Sequence, residues 1–245
     1  MQDIYQGIFP IVPTPFNDDG SLDLDGQRRV IDCMIDQGVD GLCILANYSE
    51  QFLLSDSERE ILQTLCLEHT NARVPIIATC SHFSTRIAVE RCQSAENQGA
   101  AMVMMMAPYH GALLKANDEG VYQHFEALSQ AIDIPIMIQD APLSGVTLPV
   151  PLLARLAKDF SNVSYFKIET PGTAEKLKIL LQTAGDHIDG PFDGEEGITL
   201  LADLEAGATG TMTSALACEQ IRPIVIDYLD GRLDDAERQY QRLLP

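Results

Sequence analysis

Short apolar runs alternate with helical patterns along nearly the whole length of this 245-residue chain. Short runs bounded by Gly, Pro and polar residues are typical of buried strands, whereas apolar residues three and four apart are typical of helices. The runs predicted to be strands are 7–13, 41–46, 75–80, 101–107, 135–139, 163–169, 188–193 and 210–214. Eight strands that are each followed by a helix predict an α/β fold with a closed parallel sheet, the (β/α)₈ or TIM barrel.

One barrel accounts for residues 1–230, since no linker or low-complexity stretch interrupts the alternation. The structural alternative is an open, doubly wound sheet, in which a G-x-G-x-x-G turn would follow the first strand. No such turn follows residues 7–13, and we therefore predict the closed barrel.

Several predicted helices carry residues that cap helices. Ser55 and Glu58 form a capping box that predicts a helix to about residue 70, and Pro149 predicts the first turn of a helix that ends near residue 160. Gly38 and Gly99 stand where a left-handed residue commonly ends a helix. The last two helices are predicted over 218–229 and 233–244.

The chain is strongly acidic, with a net charge of −20 from 36 acidic and 16 basic residues. This charge argues against nucleic acid or an anionic membrane as a partner. No stretch approaches the roughly 18–20 apolar residues of a membrane helix, and the N-terminus lacks a signal-peptide pattern. The six cysteines show no C-x-x-C pair, so we expect reduced thiols in a soluble, cytoplasmic protein.

Lys167 stands inside the predicted strand 163–169, where an ammonium group is costly unless it is paired or neutralised. Burial there is expected to lower its pKa and to make the amine a nucleophile toward a ketone. The alternative is a structural ion pair with Glu169, which shares its face of the strand. The remaining lysines are predicted to lie in loops or on solvent-facing helices: Lys115, Lys158, Lys176 and Lys178.

Polar side chains collect at the predicted carboxyl ends of the strands, which share the face of a TIM barrel where chemistry occurs. They are Asn47, Tyr48, Ser49, His82, Tyr109, Gln139, Glu169, Asp193 and Thr213. Their convergence around one strand lysine favours a catalytic role for Lys167. No His, Asp or Glu group has the spacing of a metal site, so we predict no metal.

Three segments together resemble the dihydrodipicolinate synthase/N-acetylneuraminate lyase family. They are 7–16 (GIFPIVPTPF), 107–109 (APY) and 166–170 (FKIET), the last falling where the family carries its Schiff-base lysine. The resemblance implies a TIM barrel and a covalent Schiff base on Lys167 without a separate cofactor. It also implies a homo-oligomer, a tetramer, with Tyr109 near a subunit interface. Residues 231–245 would start the family's C-terminal helical extension, the rest being largely absent.

Two departures from the family pattern bear on the reaction. The family's carboxylate-binding loop, GTTGE, is ANYSE at 46–50, and the amides of Tyr48 and Ser49 are expected to bind that carboxylate. The tyrosine that shuttles protons in synthases and aldolases of the family is replaced by Gln139, whose amide cannot exchange protons as a phenol does. The arginine that usually follows is missing from 143–145, so dihydrodipicolinate synthesis is disfavoured.

With these departures, ANYSEQF (46–52) and IQDAPLSG (138–145) are similar to the branch that dehydrates 2-keto-3-deoxy sugar acids. The implied substrate is a small keto sugar acid, L-2-keto-3-deoxyarabonate, which would yield 2-oxoglutarate semialdehyde in pentose catabolism. The implied catalytic residues are Lys167, Tyr109 and Tyr48. The residues expected to bind substrate are Asn47, Ser49, His82, Gln139, Glu169 and Thr213, with Asp193 and Glu195 as further candidates.

Other functions remain open at this point. A Schiff-base aldolase acting on a 2-keto-3-deoxy acid or an N-acetylneuraminate-like substrate would release pyruvate. A metal-dependent lyase would leave the strand lysine unexplained. A relative without catalytic activity would bind a keto acid and release it unchanged. For His82, the alternative to a site residue is a loop histidine hydrogen-bonded to backbone.

Overall fold

The computed structural model describes residues 4–110 and 114–244, with side chains except at 109, 110, 114 and 142. The strands are β1 (Gly7–Ile8), β2 (Leu42–Ile44), β3 (Ile76–Thr79), β4 (Met102–Met106), β5 (Tyr109–His110), β6 (Leu114–Lys115), β7 (Ile136–Asp140), β8 (Val163–Ile168), β9 (Gly190–Asp193) and β10 (Gly210–Thr211). The helices are α1 (Leu24–Asp36), α2 (Asp56–Thr70), α3 (Thr85–Asn97), α4 (Asp118–Ser129), α5 (Val150–Asp159), α6 (Thr173–Ala184), α7 (Leu200–Glu205), α8 (Cys218–Leu229) and α9 (Leu233–Leu243).

Eight of these strands form one parallel sheet in the order β1-β10-β9-β8-β7-β4-β3-β2. The two ends of the sheet meet beyond β1, where Ile11 bridges Cys43 in parallel. There the Cys43 N–H donates to the Pro10 carbonyl at 3.0 Å, and the Val12 N–H donates to the Cys43 carbonyl at 2.8 Å. The sheet therefore closes, and the predicted TIM-barrel-like (β/α)₈ architecture is confirmed.

Helix ends follow the predicted capping signals closely. Ser55 caps α2 with Glu58 as its capping-box partner, and Pro149 is the cap of α5. Gly38 and Gly99 follow α1 and α3 with φ of +81° and +92°, in the left-handed region that favours glycine. The antiparallel ribbon of β5 and β6 was not predicted, since its strands have only two residues each. No helix in the ranges 4–110 and 114–244 is long and apolar enough to cross a membrane.

Alternate residues of the strands enter two separate cores. The larger core packs the outer face of the sheet against the helices, and includes Phe166 and Ile168 of β8. The smaller core fills the barrel with aromatic and sulfur-containing side chains, including Tyr165 of the same strand. Because strand side chains alternate, Lys167 points into the barrel above Tyr165. Five of the six free cysteines are buried, while Cys33 is exposed.

Candidate active site

Lys167, Glu169 and Gln139 meet at the carboxyl end of the barrel. Gln139 on β7 pairs with Lys167 on β8 in the sheet register, so their side chains are neighbours on the inner face. The Lys167 Nζ atom lies 2.5 Å from Glu169 Oε1, and Gln139 Nε2 donates to the same oxygen at 2.9 Å. Gln139 Oε1 is buried and has no protein donor among the described residues. One carboxylate oxygen thus joins the two strands, and one amide oxygen remains available to a ligand.

The environment of Lys167 corrects one expectation. Burial is the largest single influence and lowers the pKa of the ammonium, but the adjacent Glu169 carboxylate, with smaller contributions from Cys43 and Asp193, raises it, and the net pKa of Lys167 lies above its ordinary value. The prediction of a lowered pKa was wrong, because it counted burial without the charge beside it. Attack on a ketone therefore requires the ammonium to give up its proton, and the Glu169 oxygen is within reach to accept it.

Gly194, directly after β9, provides the space in which this pair sits. A Cβ atom at this position would lie 2.3 Å from Cγ of Glu169 and 3.0 Å from Cε of Lys167. Both distances are shorter than ordinary contacts between carbon atoms. A glycine is thus required here for close approach to both side chains.

Tyr48 and Glu196 form a second polar group at the rim. The Tyr48 hydroxyl hydrogen-bonds to the Glu196 carboxylate, and burial together with the negative charge of Glu196 raises the pKa of this phenol. The charges of Lys167 and Glu169 also act on the pKa of Tyr48. Glu196 in turn accepts the N–H of Ser214 at 2.9 Å and its hydroxyl at 2.7 Å. The Ser214 loop thereby fixes the acceptor that orients Tyr48.

The loop after β2 turns sharply at both of its ends. Leu45 and Glu50 have φ of 56° and 58°, a left-handed conformation that is uncommon for residues other than glycine. Between them, the Ser49 hydroxyl donates to the Val12 carbonyl at 2.6 Å, and the Ser49 N–H donates to the Ala46 carbonyl at 3.1 Å. The structure thus commits both Ser49 donors to the protein, contrary to the expectation that its amide would bind a substrate carboxylate.

A model of the dihydrodipicolinate synthetase family matches residues 4–245. The chain belongs to this family. Over 241 residues it is 54% identical to L-2-keto-3-deoxyarabonate dehydratase from Azospirillum brasilense, covering 98% of this chain and 78% of that protein. The family resemblance stated from the sequence is confirmed.

Two solved structures of the family superimpose on almost the whole chain. The dihydrodipicolinate synthase of Thermotoga maritima has a TM-score of 0.90 at 26% identity, covering 98% of this chain and 82% of that one. A prophage protein of the family from E. coli K12, in complex with pyruvate, has a TM-score of 0.90 at 27% identity and covers 99% and 81%.

The other predicted site residues have mixed surroundings. Asn47 Oδ1 accepts Gln51 Nε2 at 2.9 Å, and buried Thr213 donates to the Ser214 carbonyl at 3.0 Å. His82 Nδ1 accepts the Ser84 N–H at 2.9 Å, which is the backbone-bonded alternative described above. Burial, followed by the charge of Arg91, lowers the pKa of His82. Tyr109 is the third residue that was predicted to be catalytic. Its side chain lies outside the described part of the structure.

Some site features were not predicted from the sequence. Glu196 and Gly194 were missed, although both follow a strand end, where functional residues of this fold collect. Asp193, by contrast, is fully buried with both oxygens bonded to protein donors, and is not available to a substrate hydroxyl. Lys176 was predicted to face solvent, but its side chain forms an ion pair with the buried Asp140 at the end of β7. Within 4–110 and 114–244, no cluster of His, Cys, Asp or Glu has the arrangement of a metal site.

Proposed function

We propose that this protein dehydrates a 2-keto-3-deoxy sugar acid through a Schiff base on Lys167, and that the substrate is L-2-keto-3-deoxyarabonate. The observation that carries the proposal is the contact of Lys167 with Glu169, whose same oxygen accepts a hydrogen bond from Gln139, an amide that stands where C–C cleavage calls for a phenol. The 54% identity to a dehydratase with this substrate in its name supports the same choice.

The first step is capture of the substrate ketone. Lys167 passes a proton to Glu169 and attacks C2 as a free amine, giving a carbinolamine. Loss of the former carbonyl oxygen as water, with a proton returned from Glu169, leaves an iminium joined to Lys167. The chemistry needs no separate cofactor and no metal, and we expect activity to survive incubation with EDTA.

Elimination follows because the iminium acidifies the C3 protons. Glu169 is the base in reach of Lys167, and removal of a C3 proton gives an enamine. Its electrons expel the C4 hydroxyl, which leaves as water with a proton from an acid at the rim, for which Tyr48 is the candidate. Transfer of a C5 proton to C3 then gives an enol at C4–C5. Hydrolysis from Lys167 and tautomerisation yield 2-oxoglutarate semialdehyde.

Gln139 directs the reaction away from cleavage. Retro-aldol cleavage between C3 and C4 needs a base to remove the C4 hydroxyl proton, and an amide does not act as one at neutral pH. Gln139 instead holds Glu169 through Nε2, while its buried Oε1 is free to accept a hydrogen bond from a substrate hydroxyl. Asn47, His82, Thr213 and Tyr109, whose side chain lies outside the described part of the structure, are retained in the proposal as further contacts with substrate, while Ser49 fixes the loop that carries Tyr48.

Product identification tests this function. L-2-keto-3-deoxyarabonate should be converted to a five-carbon semialdehyde that accounts for the substrate consumed. Stoichiometric pyruvate and glycolaldehyde would establish the aldolase instead. Binding without turnover, together with no adduct at Lys167, would establish a keto-acid-binding relative.

The assembly of the protein is part of the same proposal. We expect a homotetramer in the cytoplasm, with Tyr109 near a subunit interface and residues 231–245 starting a C-terminal helical extension. Sedimentation at working concentration tests the assembly, and a fully active monomer would contradict it.

A further inference from the structure

Asp193, at the carboxyl end of β9, points away from the barrel interior and toward α7. The preceding Phe192 belongs to the interior core, and strand side chains alternate. One oxygen of the buried Asp193 carboxyl accepts the Glu195 N–H at 2.9 Å, and the other accepts the Thr211 hydroxyl at 2.6 Å. Asp193 thus joins the start of the β9–α7 loop to strand β10.

Asp203, on α7, is a second fully buried carboxyl beside the first. Its Oδ2 accepts the Thr199 hydroxyl at 2.6 Å, and each of the two carboxyls acts on the pKa of the other as a hydrogen-bonding neighbour. Such a bond requires one proton between them, because two carboxylates are both acceptors. Asp203 Oδ1 is buried with no other donor among the described residues, which leaves it to accept the proton of Asp193.

The surroundings favour one proton on this pair. Burial raises the pKa of Asp193 to about 7, and burial also raises that of Asp203. The charged or titratable groups that interact electrostatically with the pair are Glu195 in the loop, Tyr240 on α9 and, from the inner face of the barrel, Lys167 on β8. Lys167 favours ionisation, but a second buried negative charge beside the first is strongly disfavoured.

The segment that Asp193 holds, residues 194–197, forms one wall of the candidate active site. Gly194 lies against Lys167 and Glu169, and Glu196 holds the hydroxyl of Tyr48. The position at which this segment leaves β9 depends on the bond from Glu195 N–H to Asp193. A change in the carboxyl pair is therefore transmitted directly to the groups that surround the lysine.

We propose that Asp193 and Asp203 are positioning residues that share one proton, and that this proton keeps residues 194–197 seated against Lys167 and Glu169. Removal of the proton separates the two carboxylates and displaces the segment, so activity falls on the alkaline side. This inference rests on the proposed function only where dehydration is the readout.

The test compares Asp203→Asn with the wild type and with Glu205→Gln, a matched change at an exposed position of the same helix. Asp203→Asn replaces the shared proton with an amide N–H that does not titrate, and its carbonyl can still accept from Thr199. In the wild type and in Glu205→Gln, kcat/KM should fall about tenfold per pH unit once the pair loses its proton. Asp203→Asn should stay within about threefold of the wild type at pH 6, since one hydrogen bond replaces another. In Asp203→Asn, kcat/KM should hold for about one pH unit or more beyond the point at which the wild-type pair loses its proton, since the amide N–H keeps donating to an ionised Asp193 and no second charge lies beside it.

Two readouts do not depend on dehydration. Borohydride trapping of pyruvate on Lys167 should show the same alkaline fall and the same shift in Asp203→Asn. Infrared difference spectra at pH 6 should show the C=O stretch of a protonated carboxyl that is lost in Asp203→Asn. If that variant does not fold, Asp193→Asn serves, since its amide donates to Asp203 and its carbonyl accepts from Glu195.

The outcomes separate the two proposals. If the protein does not dehydrate the substrate but its trapping profile shifts in Asp203→Asn, the proposed function is overturned and the shared proton of the carboxyl pair is supported. An unchanged alkaline fall in Asp203→Asn, or no protonated carboxyl in the wild type, would overturn the pair.

Discussion

The Nζ atom of Lys167 lies 2.5 Å from Oε1 of Glu169, two residues along the same face of the barrel wall. This contact holds the lysine as an ammonium and also supplies the acceptor for the proton that the amine must lose. The sequence offered a nucleophilic lysine and a structural ion pair as alternatives. The geometry makes them two states of one group, related by the transfer of one proton.

Covalent trapping at Lys167 is the most direct consequence. Borohydride with pyruvate or a 2-keto-3-deoxy acid should reduce an imine and add mass irreversibly at this residue, because no other described lysine projects into the barrel beside an acceptor. Peptide mass spectrometry locates the adduct. Lys167→Ala should take up none, while Lys178→Ala, at an exposed position, should label like the wild type. Labelling of another lysine in the wild type would overturn the assignment.

Glu169→Gln should separate capture from elimination. Burial would then act on Lys167 without an opposing carboxylate, so the pKa of the amine should fall and trapping should extend to lower pH. Dehydration should lose its base and slow by about 10²–10⁴-fold. Trapping rates and kcat, each measured from pH 5 to 9, give the two effects. Glu175→Gln, on the exposed face of α6, is the control, and a trapping profile equal to that control would contradict the role of Glu169.

The features that could be predicted from the sequence are those set by local pattern. The apolar run 163–169 was enough to predict a buried strand around Lys167, and strand-end position was enough to place Gln139 at the same end of the barrel. Capping residues predicted the start of α2 and α5 to within a residue. These features depend on residues close together in the chain.

The remaining features depend on residues far apart in the chain. The sign of the pKa shift at Lys167 was wrong because burial and a neighbouring charge oppose each other, and their balance needs a distance. The partner of Lys176 lies 36 positions earlier, and the donors to Glu196 lie 18 positions later. No pattern in one sequence assigns such pairs.

Gln139 should position groups without titrating. Gln139→Ala removes a hydrogen bond to the Glu169 carboxylate, of the kind that contributes about 1.5–3 kcal/mol, so kcat should fall roughly ten- to a hundredfold. Gln139→Tyr should lower the rate of dehydration and allow a small amount of retro-aldol cleavage, because it restores a phenol. Dehydration and cleavage products should be measured together in each variant. Stoichiometric pyruvate from the wild type would show that the amide does not prevent cleavage.

Gly194→Ala should disable the site through one methyl group. The new Cβ would overlap Cγ of Glu169 and crowd Cε of Lys167, which must move apart. Both trapping and dehydration should fall by about tenfold or more, since each needs this geometry. Gly120→Ala on α4 is the control, because its Cβ meets no atom closer than 3.3 Å. Equal activity in the two variants would show that Lys167 and Glu169 tolerate displacement.

The ion pair between Lys176 and Asp140 should stabilise the junction of α6 with β7. Lys176→Met leaves the fully buried Asp140 side chain without its cation, a change that typically costs about 3–5 kcal/mol. Burial raises the pKa of Asp140, so in the variant this carboxyl should take up a proton as the pH falls. Stability lost at pH 8 should therefore be partly regained at pH 5, because a group with a raised folded pKa favours folding on the acid side.

Melting temperatures measured at one protein concentration, at pH 5 and pH 8, check the direction of this pH dependence of stability. Asp140→Asn combined with Lys176→Met should melt above Lys176→Met alone at pH 8, since no buried charge remains. Lys178→Met, two positions along on the exposed face of α6, controls for the loss of a lysine. If Lys176→Met and Lys178→Met lower the melting temperature equally at pH 8, the buried ion pair makes no net contribution to stability. Other groups at the end of β7 must then stabilise the Asp140 carboxylate.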